Sequence, residues 1–132
     1  MKNKPHDEIL RAYRDPAFRE TFRNDLKNLK PGILFLGDWK YLEVGEVSKS
    51  EHKELEGLTY EELGRRWGMD PLDAFFELAI KEDLQNHVIG KFFNHIDDGV
   101  APLLKHPSSV VTLSDAGAHL IYMCDAAFGL HF

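Results

Sequence analysis

Residues 110–119, Val-Val-Thr-Leu-Ser-Asp-Ala-Gly-Ala-His, gather the side chains of this chain best suited to chemistry. Val110 to Leu113 run directly into Ser114 and Asp115, Gly117 stands between two alanines, and His119 follows four residues after the carboxylate. A carboxylate emerging from a buried strand is held on rigid backbone and partly shielded from water. There it can bind a divalent cation or shuttle a proton with little reorganisation. Ala116, Gly117 and Ala118 leave room for a ligand to approach the backbone. The same residues also suit a plainer role, in which Ser114 or Asp115 caps the segment beginning at Ala116. Position alone leaves both readings open.

The elements that must hold this run can be read from patterning. The continuous Val110-Val111-Thr112-Leu113 stretch predicts a strand covered on both faces, as in a parallel sheet. Before it, Asp97 to Pro107 reads as a helix with Val100, Leu103 and Leu104 inward, stopped by Pro107. Helix followed by buried strand is an αβ step, and ligands in such folds gather beyond the carboxyl ends of the strands. Asp115 falls at such an end.

Upstream, Asp15-Pro16 reads as an N-cap with proline at the first helical position. Phe18, Phe22 and Leu26 then recur on one helical face, and the helix ends at Lys30-Pro31-Gly32. Trp39 to Val44 has strong β-propensity and predicts a strand, whereas the polar residues from Gly45 to Gly57 predict an exposed loop.

The best-specified local structure follows. Thr59 and Glu62 form a capping box, Leu58 and Leu63 occupy the positions of a hydrophobic staple, and Gly68 suits a left-handed C-cap. Asp70-Pro71 opens a second helix whose Leu72, Phe75, Phe76, Ala79 and Ile80 make an apolar stripe. His87 to Phe93 fits a short strand. Two helices about a tight corner also resemble a helix-turn-helix DNA reader. The would-be recognition helix, however, exposes mainly Asp73, Glu77, Lys81, Glu82 and Asp83, which repel phosphates and offer few donors to base edges.

Whole-chain properties narrow the classes further. The 132 residues, 43% hydrophobic and 29% charged, suffice for one modest core and predict a single unit over 1–132. A net charge of −6 gives no positive field for nucleic acid. The longest apolar run, Ile33 to Leu36, is far below the roughly 20 residues that span a bilayer, and the first residues lack the apolar segment of a secretory signal. Those features predict no membrane partner and a cytoplasmic location. Cys124 is the one cysteine, so no internal disulfide forms, and it reads as a small buried hydrophobe.

Residues 106–129, His-Pro-Ser-Ser-Val-Val-Thr-Leu-Ser-Asp-Ala-Gly-Ala-His and onward, resemble the region around the last barrel strand of the N-acyl-D-amino-acid deacylases (the D-aminoacylase family), a branch of the metal-dependent amidohydrolases. The resemblance continues upstream through Arg14 to Leu26, Asp38 to Val44 and Leu55 to Leu84. Its most specific part is the Ser-Asp-Ala-Gly-Ala-His run preceded by His106-Pro107. A second match is Gly57-x-Thr59, Glu62-Leu63 and Gly68-x-Asp70-Pro71-x-Asp73-Ala74.

This resemblance implies an α/β fold, a partial TIM-barrel segment with a helical insertion over 45–87 between the last two strands, Trp39 to Val44 and Val110 to Leu113. It implies hydrolysis of the amide bond of N-acyl (D-)amino acids or related amides by metal-activated water, usually with Zn2+. Asp115 would be both metal ligand and catalytic base, with Ser114, Gly117 and His119 near the substrate. The partners implied are that small-molecule substrate and the remainder of the barrel.

The family's other ligands have no counterpart here: none of the seven histidines forms His-x-His or His-Glu-x-x-His, and Cys124 does not match the family's bridging cysteine. His87 and His95 read as surface or hydrogen-bonded residues. A full barrel takes about 250 residues, so the chain is expected to be a fragment, inactive in isolation and exposing apolar surface meant for missing strands. The alternative from another class is a non-catalytic α/β or helix-turn-helix interaction module in which Asp115 caps a turn.

Overall fold

The computed structural model describes residues 4–29, 32–33, 35–93 and 96–109. Val110 to Leu113 and the four site residues Ser114, Asp115, Gly117 and His119 lie outside the described residues, as does Cys124. The chain divides into two compact units, Met1–Phe92 and Phe93–Phe132, each described by itself.

The first unit is built on helix pairs. Helix α1 (His6–Arg14) starts after Pro5, with Asp7 and Glu8 in its first turn and Arg11 and Arg14 in its last, the charge order that the helix dipole favours. Helix α2 (Pro16–Lys27) begins as its sequence predicts, with Asp15 Oδ1 accepting from the Ala17 N–H at 2.9 Å. Phe18 and Phe22 are half-buried and meet the ring of Phe76 at 5.9 and 5.5 Å between centroids. The Tyr13 ring of α1 lies 4.7 Å from the same ring.

Between Asp38 and Val44 the expected strand is shorter than predicted. Trp39–Tyr41 forms a 3₁₀ turn, closed by the Tyr41 N–H on the Asp38 carbonyl at 3.0 Å, and only Leu42–Val44 is strand β1. The turn aims Trp39 at the rings of Phe35, Tyr60 and Phe75, and that burial outweighs local β-propensity. The polar stretch after β1 also departs from expectation. It contains a 3₁₀ helix, Ser50–Leu55, and buries Val47 and Leu55 in the core.

Helix α3 (Tyr60–Trp67) carries the full capping box: the Thr59 N–H donates to Glu62 Oε2 at 2.8 Å and the Glu62 N–H to Thr59 Oγ1 at 3.2 Å. Gly68, at φ 66° and ψ 33°, ends the helix in the left-handed region. Helix α4 (Pro71–Lys81) then starts on Asp70, whose Oδ1 accepts from the Leu72 N–H at 3.0 Å.

Instead of one apolar stripe, α4 buries Leu72, Ala74, Phe76, Leu78 and Ala79 and half-buries Phe75. It is packed from two sides, with α1 and α2 against Phe76 and with Trp39 and Tyr60 against Phe75. The core cluster joins Leu42, Val44, Val47, Leu55, Tyr60, Leu63, Ala74 and Leu78. Each fully buried side chain of this size contributes about 1.5–3 kcal/mol.

Strand β2 (Val88–Gly90) pairs antiparallel with β1, in the register Leu42↔Gly90, Glu43↔Ile89, Val44↔Val88. The ribbon therefore closes residues 45–87 at their base. The pair is antiparallel, so the sheet among the described residues differs from the parallel arrangement expected around Trp39–Val44.

In the second unit, helix α5 (Asp97–Leu104) starts at the N-cap Ile96, with Asp97 and Asp98 in its first turn. Leu103 and Leu104 are 67% and 47% exposed, which corrects the expectation that they point inward. No helix among the described residues is long and apolar enough to cross a membrane.

Candidate functional site

Polar side chains converge most tightly in the first unit at the C-terminal turn of α4. Glu82 follows the last helical residue, Lys81, and has no solvent exposure. Its Oε2 accepts from the Ser48 N–H at 2.6 Å, Ser48 Oγ at 2.8 Å and the Lys49 N–H at 3.2 Å. Its Oε1 is hydrogen-bonded to His52 Nδ1. Both oxygens are thus satisfied, the condition for holding a buried charge.

Burial pushes the carboxyl of Glu82 up, but the hydrogen bonds from His52, Ser48 and Lys49 outweigh it and hold the group at about 2. Glu82 is therefore a buried anion at neutral pH. Its contact fixes the imidazole of His52, whose side chain is 14% exposed and whose Nε2 lies 3.7 Å from Glu51 Oε1. An imidazole held at Nδ1 by a carboxylate presents its other nitrogen in one orientation, the pattern used to position bases and metal-binding histidines.

The backbone beyond Glu82 is unusual as well. Asp83 and Leu84 have φ of 54° and 61°, a region that costs a β-carbon residue about 1–2 kcal/mol. The Leu84 N–H donates to the Ala79 carbonyl at 2.8 Å, so the turn wraps the end of α4. His6 Nε2 reaches the Asp83 carbonyl at 3.1 Å, which ties the start of α1 to the same turn. That hydrogen bond is the main reason the His6 imidazole is raised above its ordinary value.

A second polar cluster joins α2 to α4. Arg19 donates to Asp73 Oδ1 at 3.2 Å, to Glu77 Oε1 at 2.7 Å and to the Tyr13 carbonyl at 2.6 Å, while its guanidinium lies 5.5 Å from the Phe76 ring centroid. Arg23 pairs with Asp73. Asp73 and Glu77, which sequence patterning presents to solvent as a repulsive helix face, are consumed in holding helices together.

Neither cluster was evident from spacing. Ser48, His52 and Glu82 are separated by up to 34 residues, and no local periodicity links them. Of the histidines singled out in sequence, His87 is a surface side chain, 74% exposed and 3.7 Å from Glu46, and His95 lies outside the described residues. His106 Nδ1 accepts from the Ser108 N–H at 3.2 Å in a local turn. Among the described residues, no three His, Cys, Asp or Glu side chains converge as metal ligands would. Those residues therefore do not by themselves fit a zinc ion.

The chain is 30% identical over 118 residues to the Uncharacterized protein Rv2913c of Mycobacterium tuberculosis, an alignment that covers 88% of this chain. The Uncharacterized protein Mb2937c of Mycobacterium bovis aligns with the same identity and coverage. The chain spans 19% of the length of these curated relatives. No protein-family model matches it, and neither does any solved structure.

Proposed function

We propose that this chain is a portion of a metal-dependent amidohydrolase of the N-acyl-D-amino-acid deacylase type, acting on the amide bond of N-acyl amino acids or related amides. The observation that carries the reading is the run from His106-Pro107 to Ser114-Asp115-Ala116-Gly117-Ala118-His119. Asp115 is the catalytic carboxylate in this reading: it accepts a proton from the attacking water and returns it to the leaving nitrogen. Ser114, Gly117 and His119 border the substrate, and Asp115 would also be one ligand of a zinc ion, which when bound would supply Lewis-acid polarisation of the amide. The rest of the ligand set belongs to a longer polypeptide. Relatives of which this chain spans 19% agree with an activity assembled from more than these residues.

On the same reading, residues 45–87 are an insertion beside the active-site mouth of a barrel, closed at its base by the β1–β2 ribbon. The substrate is a small molecule, the working partner is the remainder of the barrel, and the compartment is the cytoplasm.

The test is kinetic. In the longer polypeptide that contains this segment, Asp115→Asn is expected to lower kcat for an N-acyl-D-amino acid by about 10²–10⁴-fold while leaving the thermal midpoint within a few degrees. Wild-type kcat in that variant would remove Asp115 from the mechanism.

A further inference from the structure

A cleft of about 330 Å³ opens in the first unit between α2, the segment leading into Trp39 and the start of α4. That volume lies at the small end of the range in which proteins hold organic ligands. Its apolar lining is Leu26, Leu36, Trp39 and Leu72. Leu72 is buried, Leu26 and Trp39 are half-buried and Leu36 is 65% exposed, so the lining grades from core to open water. A ligand with a branched aliphatic body would cover the apolar part that water meets.

Arg23, Lys27 and Asp70 supply the charges around the cleft. Arg23 is already committed, to Asp73 and, at 3.3 Å, to Glu20. Lys27, in the last turn of α2, is exposed and forms no ion pair among the described residues. Asp70 lies in the field of the Arg23 charge and spends one carboxylate oxygen on the Leu72 N–H at 3.0 Å. Its other oxygen accepts no hydrogen bond among the described residues, and the Trp39 indole N–H finds no acceptor among them. An uncommitted cation, an uncommitted N–H donor and an unbonded carboxylate oxygen thus border one apolar-floored cleft. The first two suit a carboxylate and the third an ammonium.

We propose that this cleft binds the zwitterion of an apolar α-amino acid, with Lys27 and the Trp39 N–H taking its carboxylate, Asp70 its ammonium, and Leu26, Leu36 and Leu72 its side chain. Charge complementarity selects the zwitterion, because a dianion would meet Asp70 and a dication would meet Lys27. The site is built from the first unit alone, and the inference does not depend on the chemistry of Asp115.

Titration of the full chain with leucine, followed by the indole N–H resonances of its two tryptophans, tests it. The Trp39 resonance is expected to shift saturably, while that of Trp67, which does not line the cleft, stays in place. Isocaproate lacks the ammonium and isoamylamine lacks the carboxylate. Each is expected to bind about two- to fivefold more weakly than leucine, the worth of one exposed ion pair. Lys27→Gln and Asp70→Asn are each expected to weaken leucine by about the same factor, and Asp70→Asn to leave isocaproate unchanged. Asparagine caps a helix as well as aspartate does, and Lys27 is exposed, so both variants keep the fold. No saturable shift, equal shifts at both indoles, isocaproate or isoamylamine binding as tightly as leucine, or leucine affinity unchanged in either variant would overturn the proposal. The comparison of the three ligands uses the wild type, so it decides the matter even where a variant fails to fold.

Discussion

Glu82 shows how a residue can be legible in type and illegible in role. In sequence it is one acid of Lys81-Glu82-Asp83, a solvated helix end by pattern. In the structure it is a buried anion with four hydrogen bonds from residues 48–52, and contacts across about thirty positions leave no local signature. The caps at Asp15, Thr59 and Asp70 were readable because their donors lie within three residues. Linkage fixes the sign of the pH effect. The Glu82 carboxyl is held at about 2 when folded, against an ordinary value of 4.5, so its contribution is complete above pH 4.5 and is lost as pH falls towards 2. The urea midpoint of the chain is accordingly expected to drop through that window, and Glu82→Gln to flatten the drop; an equally steep drop in the variant would assign it to other carboxylates. His6 runs the opposite way. Its raised imidazole stabilises below its ordinary value of 6.5, and that contribution fades as pH rises through the folded value.

At the scale of elements, the α3–α4 corner was the most legible part of the chain, and its geometry explains why. Gly64 lets α3 approach the start of α4 so closely that a β-carbon there would stand 2.9 Å from the Met69 carbonyl oxygen and 3.1 Å from the Pro71 nitrogen. These are backbone atoms, so the corner must spread to admit a methyl group. Gly64→Ala is expected to destabilise by about 1–3 kcal/mol, read as a lower urea midpoint, in spite of alanine's better helix propensity. A neutral or raised midpoint would show that the corner relaxes freely. Spacing predicts the stripe on α4 but does not show that Ala74 and Leu78, which lie off that stripe, join the core cluster, because their partners Val44, Val47 and Leu55 are remote in sequence. The Trp39–Tyr41 turn was misread for a related reason. β-Propensity is a statement about fitting a pleated surface, and here the aromatic residues fit a ring cluster instead.

For the whole molecule, the expectation of a barrel segment rests on resemblance, and the described residues of the first unit form helices and a two-stranded antiparallel ribbon. The antiparallel ribbon brackets residues 45–87, the stretch that the resemblance implies is an insertion. The strand expected from sequence and the candidate site residues fall at 110–119, outside the described residues. Their chemistry was legible only as a motif, since a carboxylate after an apolar run serves as readily to cap a turn as to bind a metal. We propose that this motif belongs to a zinc-dependent amide hydrolase of which these 132 residues are a portion. The most direct measurement is release of free amino acid from N-acetyl-D-amino acids by the longer polypeptide, before and after chelation. Release that stops with the chelator and returns with Zn2+ is expected; no release from any N-acyl amino acid, or release indifferent to the chelator, would contradict the proposed function.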